Sequence, residues 1–477
     1  MATKESSHPE ELYFEGAWQP ASDTIEVTDL TDGEPFASVA AASASDVDAA
    51  LGAADRAERD LRETTIVERA NWLEAIAEGI EERKDELVDV IVREAGKPVS
   101  SARSEVDSAA ERFRRAVGEV RDLDGEYVEG TTAGHEGWQA IVKYQPVGTV
   151  LCITPYNYPL ATTALQVAPA LAAGNAVVLK PATKTPVSGA ILADIITEAA
   201  DLPEGAFSFV PGRASEIGDL LAGDDRLNAI AMTGSSNAGK HVASVSGMVE
   251  LHMELGGNAP AVVFPDADLG HVAGQCAAGS FKYAGQRCSA VSRVLAHEDV
   301  HDEVIDRLDD EMDSWTTGDL FDPDTTVGPL ISDSQADWVE ELIDDAVEKG
   351  ATLVRGGERD GQHIQPALLA DVPHDARIVH EEQFGPVAAV VSVADEEEAL
   401  DLANGTDLGL DASVFTNDYK RAMRVAERLE AGGVRINGKP SHGLGDIPFG
   451  GVKDSGIGRE GIGYTIEAFV ERKSIIL

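Results

Sequence analysis

The chain has 477 residues, enough for two or three domains, and its 43% apolar content is ordinary for a folded protein. Its charge is not ordinary: 38 Lys and Arg stand against 85 Asp and Glu, a formal net charge of −47. Such a surface excludes a general nucleic-acid binder and docking on anionic lipid, and the recurrence of apolar residues along the chain excludes wholesale disorder.

Lysine is scarce, 13 against 25 arginines, and the acid excess runs from Asp46 to Glu471 with no separate tail. This is the pattern expected of a protein adapted to molar salt, where the Debye length falls to about 3 Å and carboxylate repulsion is screened. Three cysteines, Cys152, Cys276 and Cys288, are too few and odd in number for a disulfide framework and point to a reducing compartment. The N-terminal MATKESSHPEELYFEG has no apolar stretch of a secretory signal, and no window offers 18 uninterrupted apolar residues. A cytoplasmic protein without membrane partners is expected.

In chain order, residues 43–122 read as helix, with a start at Ser45 and Asp46 and a stop at Gly96 inside the segment. Residues 124–145 read as a two-stranded hairpin with WQAIVKYQ as one arm. From Val147 the apolar runs VGTVLCITP, NAVVLKP, AFSFVPG and NAIAMTG alternate with helix-like stretches, the mark of a parallel sheet covered on both faces. Ligands of such sheets sit at the carboxyl ends of the strands. A second α/β set follows ELGGNAP, with strands in PAVVFP, SRVLAHEDV, VAAVVSV, ASVFT and GGVRIN, and RKSIIL closes the chain as a short strand. The expected class is α/β: one unit over 1–123 and 146–255, a second over 256–450, and an oligomerisation element from 124–145 and 451–477. An isolated hairpin is marginal alone and an open strand edge invites pairing.

Several residues could carry chemistry. Cys288, in YAGQRCSA, is either inert core or a nucleophile whose thiolate the adjacent Arg287 favours; Cys276 and Cys152 sit in helix-like and strand-like apolar surroundings and read as core. Glu254, in MELGGN, either caps a turn or serves as a general base. Asn157, in TPYNYPL, is either a turn residue or an amide donor to a developing oxyanion. MTGSSNAGK, residues 232–240, has the form of a strand end, a turn and a helix start that could face a phosphate, though it is neither a P-loop nor GxGxxG. Lys180 ends a buried-type strand, where a ligand is a better partner than solvent. No Cys, His and Asp cluster has metal-ligand spacing, so no metal is expected.

TPYNYPL, NAVVLKPA, MTGSSNAG, MELGGNAP, GQRC, EEQFGPV, GGVRIN and PFGGVKDSGIGRE follow one another in an order that resembles the aldehyde dehydrogenase superfamily over nearly the whole chain, including the 34-residue interval from Glu254 to Cys288. The resemblance implies a Rossmann-like cofactor domain, a catalytic domain and a bridging hairpin that builds dimers or tetramers. It implies oxidation of a small aldehyde to its carboxylate: Cys288 attacks the carbonyl, Asn157 and the Cys288 N–H hold the oxyanion, hydride passes to NAD or NADP, and Glu254 activates the water that releases the thioester. It places Lys180 on the adenosine ribose, Gly234 and Ser235 at the pyrophosphate, and Glu382 with Phe384 at the nicotinamide ribose. Where NAD-selective members commonly carry Glu, this chain has Thr183, so NADP should be tolerated or preferred. The segments around Cys288 and GGVRIN are similar to the non-phosphorylating glyceraldehyde-3-phosphate dehydrogenase branch. Tyr158 and Arg287 match two of its phosphate-binding positions, whereas Ser108 and His442 occupy the other two, so a small unphosphorylated aldehyde or a semialdehyde is at least as well favoured. A cofactor-free esterase and a non-catalytic relative are the competing classes.

The charge pattern makes a direct prediction. The thermal midpoint should climb steeply from dilute buffer to molar KCl, and a midpoint that stays flat over that range would refute salt adaptation.

Overall fold

The computed structural model describes residues 10–441 and 443–477; His442, expected near the substrate, lies outside the described residues. Four helices, Ala44–Glu63, Ile66–Glu82, Lys84–Ala95 and Val99–Arg121, fill the segment read as helical. The first begins two residues earlier than the cap expected at Ser45. Ser43 is the cap, and its hydroxyl and the Asp46 carboxylate satisfy each other's backbone N–H groups in a capping box. Gly96 ends the third helix in the left-handed conformation, at φ 65°.

The apolar runs form an eight-stranded sheet. Its parallel centre runs, side by side, Phe207–Phe209, Ala176–Lys180, Thr149–Ile153, Ala229–Thr233 and Glu250–Glu254. The chain starts at Thr149–Ile153, builds outward to one side and then returns to build on the other. The order therefore reverses beside Thr149–Ile153, and a crevice opens at the carboxyl ends there. Val150, Leu151, Val177, Val178, Leu179, Ile230 and Ala231 are inaccessible to solvent, each contributing roughly 1.5–3 kcal/mol for a fully buried aliphatic side chain of Val or Leu size. The helix Ala161–Ala173 packs against this sheet and is buried almost all round, which its Ala-rich sequence permits.

A second sheet has seven strands in the order Thr352–Arg355, Ala367–Ala370, Val387–Val393, Val291–His297, Ala259–Val263, Asp411–Phe415 and Gly433–Ile436, all parallel except the first. A third, antiparallel sheet joins Glu126–Glu129, Gln139–Pro146 and the C-terminal strand Val470–Ile476. The segment 451–469, expected to belong to the oligomerisation element, packs elsewhere. Gly456–Ile457 extends the eight-stranded sheet beside Glu250–Glu254, and Ile462, Ile466 and Phe469 enter the first core. Their apolar side chains are buried intramolecularly, so only the last strand joins the hairpin.

One buried ion pair ties the helical layer to the crevice. Lys97, just past the third helix, pairs with Glu105, and the other oxygen of Glu105 accepts the N–H groups of Leu160 (3.0 Å) and Ala161 (3.1 Å). That carboxylate caps the helix Ala161–Ala173 and so fixes the end of the TPYNYPL loop. No helix among the described residues is long and apolar enough to cross a membrane.

Candidate active site

Four strand ends of the first sheet deliver side chains to the crevice. Thr149–Ile153 runs into the loop bearing Asn157, Ala176–Lys180 ends on Lys180, Ala229–Thr233 leads to Gly234, and Glu250–Glu254 ends on Glu254. The second sheet faces them with its amino ends: Cys288 precedes Val291–His297, and Glu382 precedes Val387–Val393.

The turn before Cys288 is forced. Tyr283, Ala284 and Gly285 are successive left-handed residues, at φ 55°, 51° and 69°. Such a conformation costs a non-glycine residue of order 1–3 kcal/mol and persists only where its surroundings over-determine it. Here Tyr283 Oη donates to Ala95 O (2.8 Å), Gln286 Nε2 donates to Pro329 O (3.2 Å), and Gln286 Oε1 accepts from Ile331 N (2.9 Å). Asn157 Nδ2 donates to Gln286 O (2.9 Å), tying the two loops together across the crevice. The two glycines after Glu254 have a steric purpose. A Cβ on Gly257 would stand 2.3 Å from the Cys288 carbonyl oxygen, and one on Gly256 would stand 2.6 Å from Glu382 Oε2.

Cys288 is half-buried, whereas Cys152 and Cys276 are shut away. Its thiol and the Glu254 carboxylate act on each other electrostatically. The Cys288 backbone N–H has no acceptor among the described residues, and the Asn157 amide gives one N–H to Gln286 O. Burial, then the negative charge of Glu254, push the Cys288 thiol well above its ordinary range. Arg287 does not favour the thiolate in the way its adjacency suggested: its Nη2 turns back to donate to Gly279 O (2.9 Å). Glu254 is 2% exposed, its Oε1 is buried without a partner, and burial followed by the charge of Glu460 raises its carboxyl well above the usual range.

On the other side of Glu254 lies a polar trough. Lys180 is 4% exposed, its ammonium donates only to Pro181 O (3.2 Å), and burial lowers it to about 8. Thr183 Oγ1 donates to Gly212 O (3.1 Å). Gly234 leads into Ser235, the cap of the helix Ser236–Val245, whose hydroxyl accepts from Ala238 N (3.3 Å); Ser236 Oγ is buried without a partner among the described residues. Glu382 Oε1 accepts from Gly257 N (2.9 Å), and burial raises its carboxyl to about 7. Phe384 is left-handed at φ 49°, with its ring 6.0 Å from that of Tyr156. A buried cation without a carboxylate, an open helix N-terminus and an orphaned hydroxyl fit a phosphate-bearing dinucleotide.

The aldehyde dehydrogenase family model matches residues 18–475. The chain belongs to the aldehyde dehydrogenase family. It is 38% identical over 466 residues to an NADP-dependent glyceraldehyde-3-phosphate dehydrogenase of Streptococcus equinus, covering 97% of this chain and 98% of that one. It is 35% identical to a 3-sulfolactaldehyde dehydrogenase of Priestia aryabhattai over 98% of this chain and 97% of the relative. The NADP-dependent glyceraldehyde-3-phosphate dehydrogenase of Bacillus halodurans C-125, solved with NADP, superposes with a TM-score of 0.96 at 36% identity over 98% of each chain.

In this aldehyde dehydrogenase the substrate side holds residues that sequence reasoning missed. Ser108 does not reach the site; its hydroxyl donates to Ser104 O (2.7 Å) on its own helix. One turn further on, Arg112 does reach it. Its Nη1 donates to Ala161 O, its Nε is buried without a partner, and its charge acts on Tyr158 and Glu460. Tyr158 lies under the Lys97 ammonium (3.5 Å to the ring centroid) and beside Tyr283 (6.0 Å). Burial raises the Tyr158 hydroxyl to about 12, with Arg287 opposing the rise. Glu460 accepts from Thr233 Oγ1 (3.3 Å) and, with Asp411, adds to the negative field on Glu254 and Cys288. The sequence signal for Arg112 was a charged residue at i+7 from Glu105, on the stripe that also carries Ala102, Ala109, Phe113 and Ala116.

Because the Cys288 thiol is held above its ordinary range, the thiolate is the minor form near neutrality and grows as pH rises. Alkylation of Cys288 by iodoacetamide, without cofactor, should accelerate continuously from pH 7 to pH 9; a rate already level by pH 6.5 would contradict the electrostatics described.

Proposed function

We propose that this chain oxidises a small aldehyde to its carboxylate with NAD or NADP, through a thioester on Cys288. The observation that carries the reading is the close approach of the Cys288 turn to the chain just after Glu254 at the switch-point crevice, where a Cβ on Gly257 would stand 2.3 Å from Cys288 O, with the TPYNYPL loop tied to the same turn through Asn157. On this reading residues 1–123 and 146–255 bind the dinucleotide, 256–450 carry the chemistry, and the hairpin sheet holds dimers or tetramers together. The acidic surface serves a reducing, cytoplasmic compartment at molar salt.

Glu254 takes the thiol proton as Cys288 sulfur attacks the aldehyde carbon. The Asn157 amide and the Cys288 N–H then donate to the thiohemiacetal oxyanion, in a site where water does not weaken them. Lys180, Gly234, Ser235, Glu382 and Phe384 would hold a nicotinamide dinucleotide, which when bound supplies the acceptor for the hydrogen and electron pair leaving the substrate carbon. Glu254 first releases the proton it took from the thiol to solvent; water then attacks the thioester as its proton passes to Glu254, the C–S bond breaks, carboxylate leaves, and Glu254 returns a proton to the sulfur to restore the Cys288 thiol. Glu254 supports hydrolysis over transfer of the acyl group to another thiol.

NADP is favoured by two features of this chain. Thr183 puts no carboxylate where a ribose 2′-phosphate would stand, and Lys180 has no acidic partner to compete with that phosphate. The NADP-dependent relatives agree.

Replacing Glu254 with Gln should allow one burst of reduced cofactor per site followed by a stall at least a hundredfold below the wild-type steady rate, with NADP at least as effective as NAD. Undiminished steady turnover would remove Glu254 from thioester release, and strict rejection of NADP would overturn the cofactor preference.

A further inference from the structure

The ion pair of Lys97 with Glu105 lies almost wholly out of solvent, the two residues being 1% and 3% exposed. It joins the third helix to the fourth, but Lys84 with Asp107 and Arg103 with Asp85 join the same two helices at the surface, where the charges stay hydrated. A buried pair gives up that hydration, and apolar side chains of the same volume often serve stability as well. Holding two helices together therefore does not account for a buried lysine at this place.

What the pair touches is the two loops that carry the chemistry. The Lys97 ammonium stands over the ring of Tyr158 (3.5 Å to the centroid) and over that of Tyr283 (4.5 Å), and the two rings meet edge to face at 6.0 Å. Tyr158 directly follows Asn157, and Tyr283 opens the left-handed run that leads to Cys288. Tyr283 Oη also donates to Ala95 O (2.8 Å), two residues before Lys97. On the other side of the pair, Glu105 Oε1 accepts from Leu160 N (3.0 Å) and Ala161 N (3.1 Å), so the Asn157 loop is held both by a ring and by its end. A desolvated cation draws the faces of aromatic rings toward it. An aliphatic side chain of the same length would fill the space without pulling on either ring or on Glu105.

We propose that Lys97, held by Glu105, is a positioning residue for the chemical step: its ammonium, set between Tyr158 and Tyr283, fixes the Asn157 loop and the Cys288 turn at one separation. This rests on Asn157 and Cys288 acting on the same substrate carbonyl and adds a residue to that reading. The role is indirect, exerted through the two rings. It bears on rate because a displacement of about 1 Å between reacting groups can cost about a hundredfold.

The test uses the neutral pair Lys97→Met/Glu105→Gln in molar KCl. It leaves no buried charge unpaired, and the new amide oxygen can still accept from Leu160 and Ala161, so the thermal midpoint should stay close to that of the wild type. At saturating aldehyde the rate constant for the burst of reduced cofactor should fall at least tenfold, with the Kd for NADP unchanged. In an Asn157→Ala background the same pair should cost less than threefold, because the donor it places is gone. Equal losses in the two backgrounds would overturn the assignment, as would an equal loss in Lys84→Met/Asp107→Asn, the surface pair between the same helices. Tyr283→Leu removes one ring and keeps the ion pair; it should show the same dependence on Asn157, and it decides the matter if the neutral pair does not fold. A second readout needs no turnover. Iodoacetamide should alkylate Cys288 at least threefold faster in the neutral pair than in the wild type, because a loosened turn admits water to a thiol that burial raises above its ordinary range. An unchanged rate overturns the positioning role even if the enzyme is active, whereas a wild type without turnover on any aldehyde, beside the faster alkylation, overturns the reaction and leaves the tie between the two loops standing.

Discussion

The structure depends on one close approach. The backbone of the Cys288 turn passes so near Gly257 that any side chain there would collide with the Cys288 carbonyl, and the neighbouring Gly256 gives Glu382 the same clearance. That approach brings a sulfur from the amino edge of one sheet against a carboxylate from the carboxyl edge of another. The left-handed run from Tyr283 to Gly285 is what bends the chain into place, and its cost is offset by bonds that reach Ala95, the loop of Pro329 and Ile331, and Asn157, three separate parts of the fold. Rigid pre-positioning of this kind matters because a small displacement of reacting atoms costs orders of magnitude in rate.

Around that contact the charges are divided by side. Burial, with the charges of Glu254, Asp411 and Glu460, raises the Cys288 thiol above its ordinary range, and burial, with the charges of Glu460, Asp411 and Glu382, raises the Glu254 carboxyl. Lys180, buried at the end of its strand with its ammonium donating to Pro181 O, is a place where a dinucleotide phosphate could meet a cation in this acidic chain.

Much of this was legible in the sequence, for physical reasons. Buried parallel strands are continuous apolar runs ending in Pro or Gly, so VLCITP, VVLKP and AIAMTG announced both the sheet and the ends where ligands meet it. The motif order then pointed to Cys288, Glu254 and Asn157, which the apolar runs alone do not single out. What periodicity does not encode is where a long side chain points. Arg287 sits next to Cys288 in sequence yet turns to Gly279, while Arg112 reaches the site from a helix 45 residues before Asn157. The end of the chain also misled: a segment rich in Gly reads as an appendage, but Ile462, Ile466 and Phe469 hide in the first core.

The central claim is that the sulfur of Cys288 becomes covalently acylated by the aldehyde. Mass spectrometry of the Glu254→Gln protein, quenched in acid after one turnover with aldehyde and NADP in molar KCl, tests it most directly. The account predicts the acyl mass on the peptide that contains Cys288, with those containing Cys152 and Cys276 unmodified. An acyl group on another residue, or one equivalent of reduced cofactor with Cys288 unmodified, would contradict it.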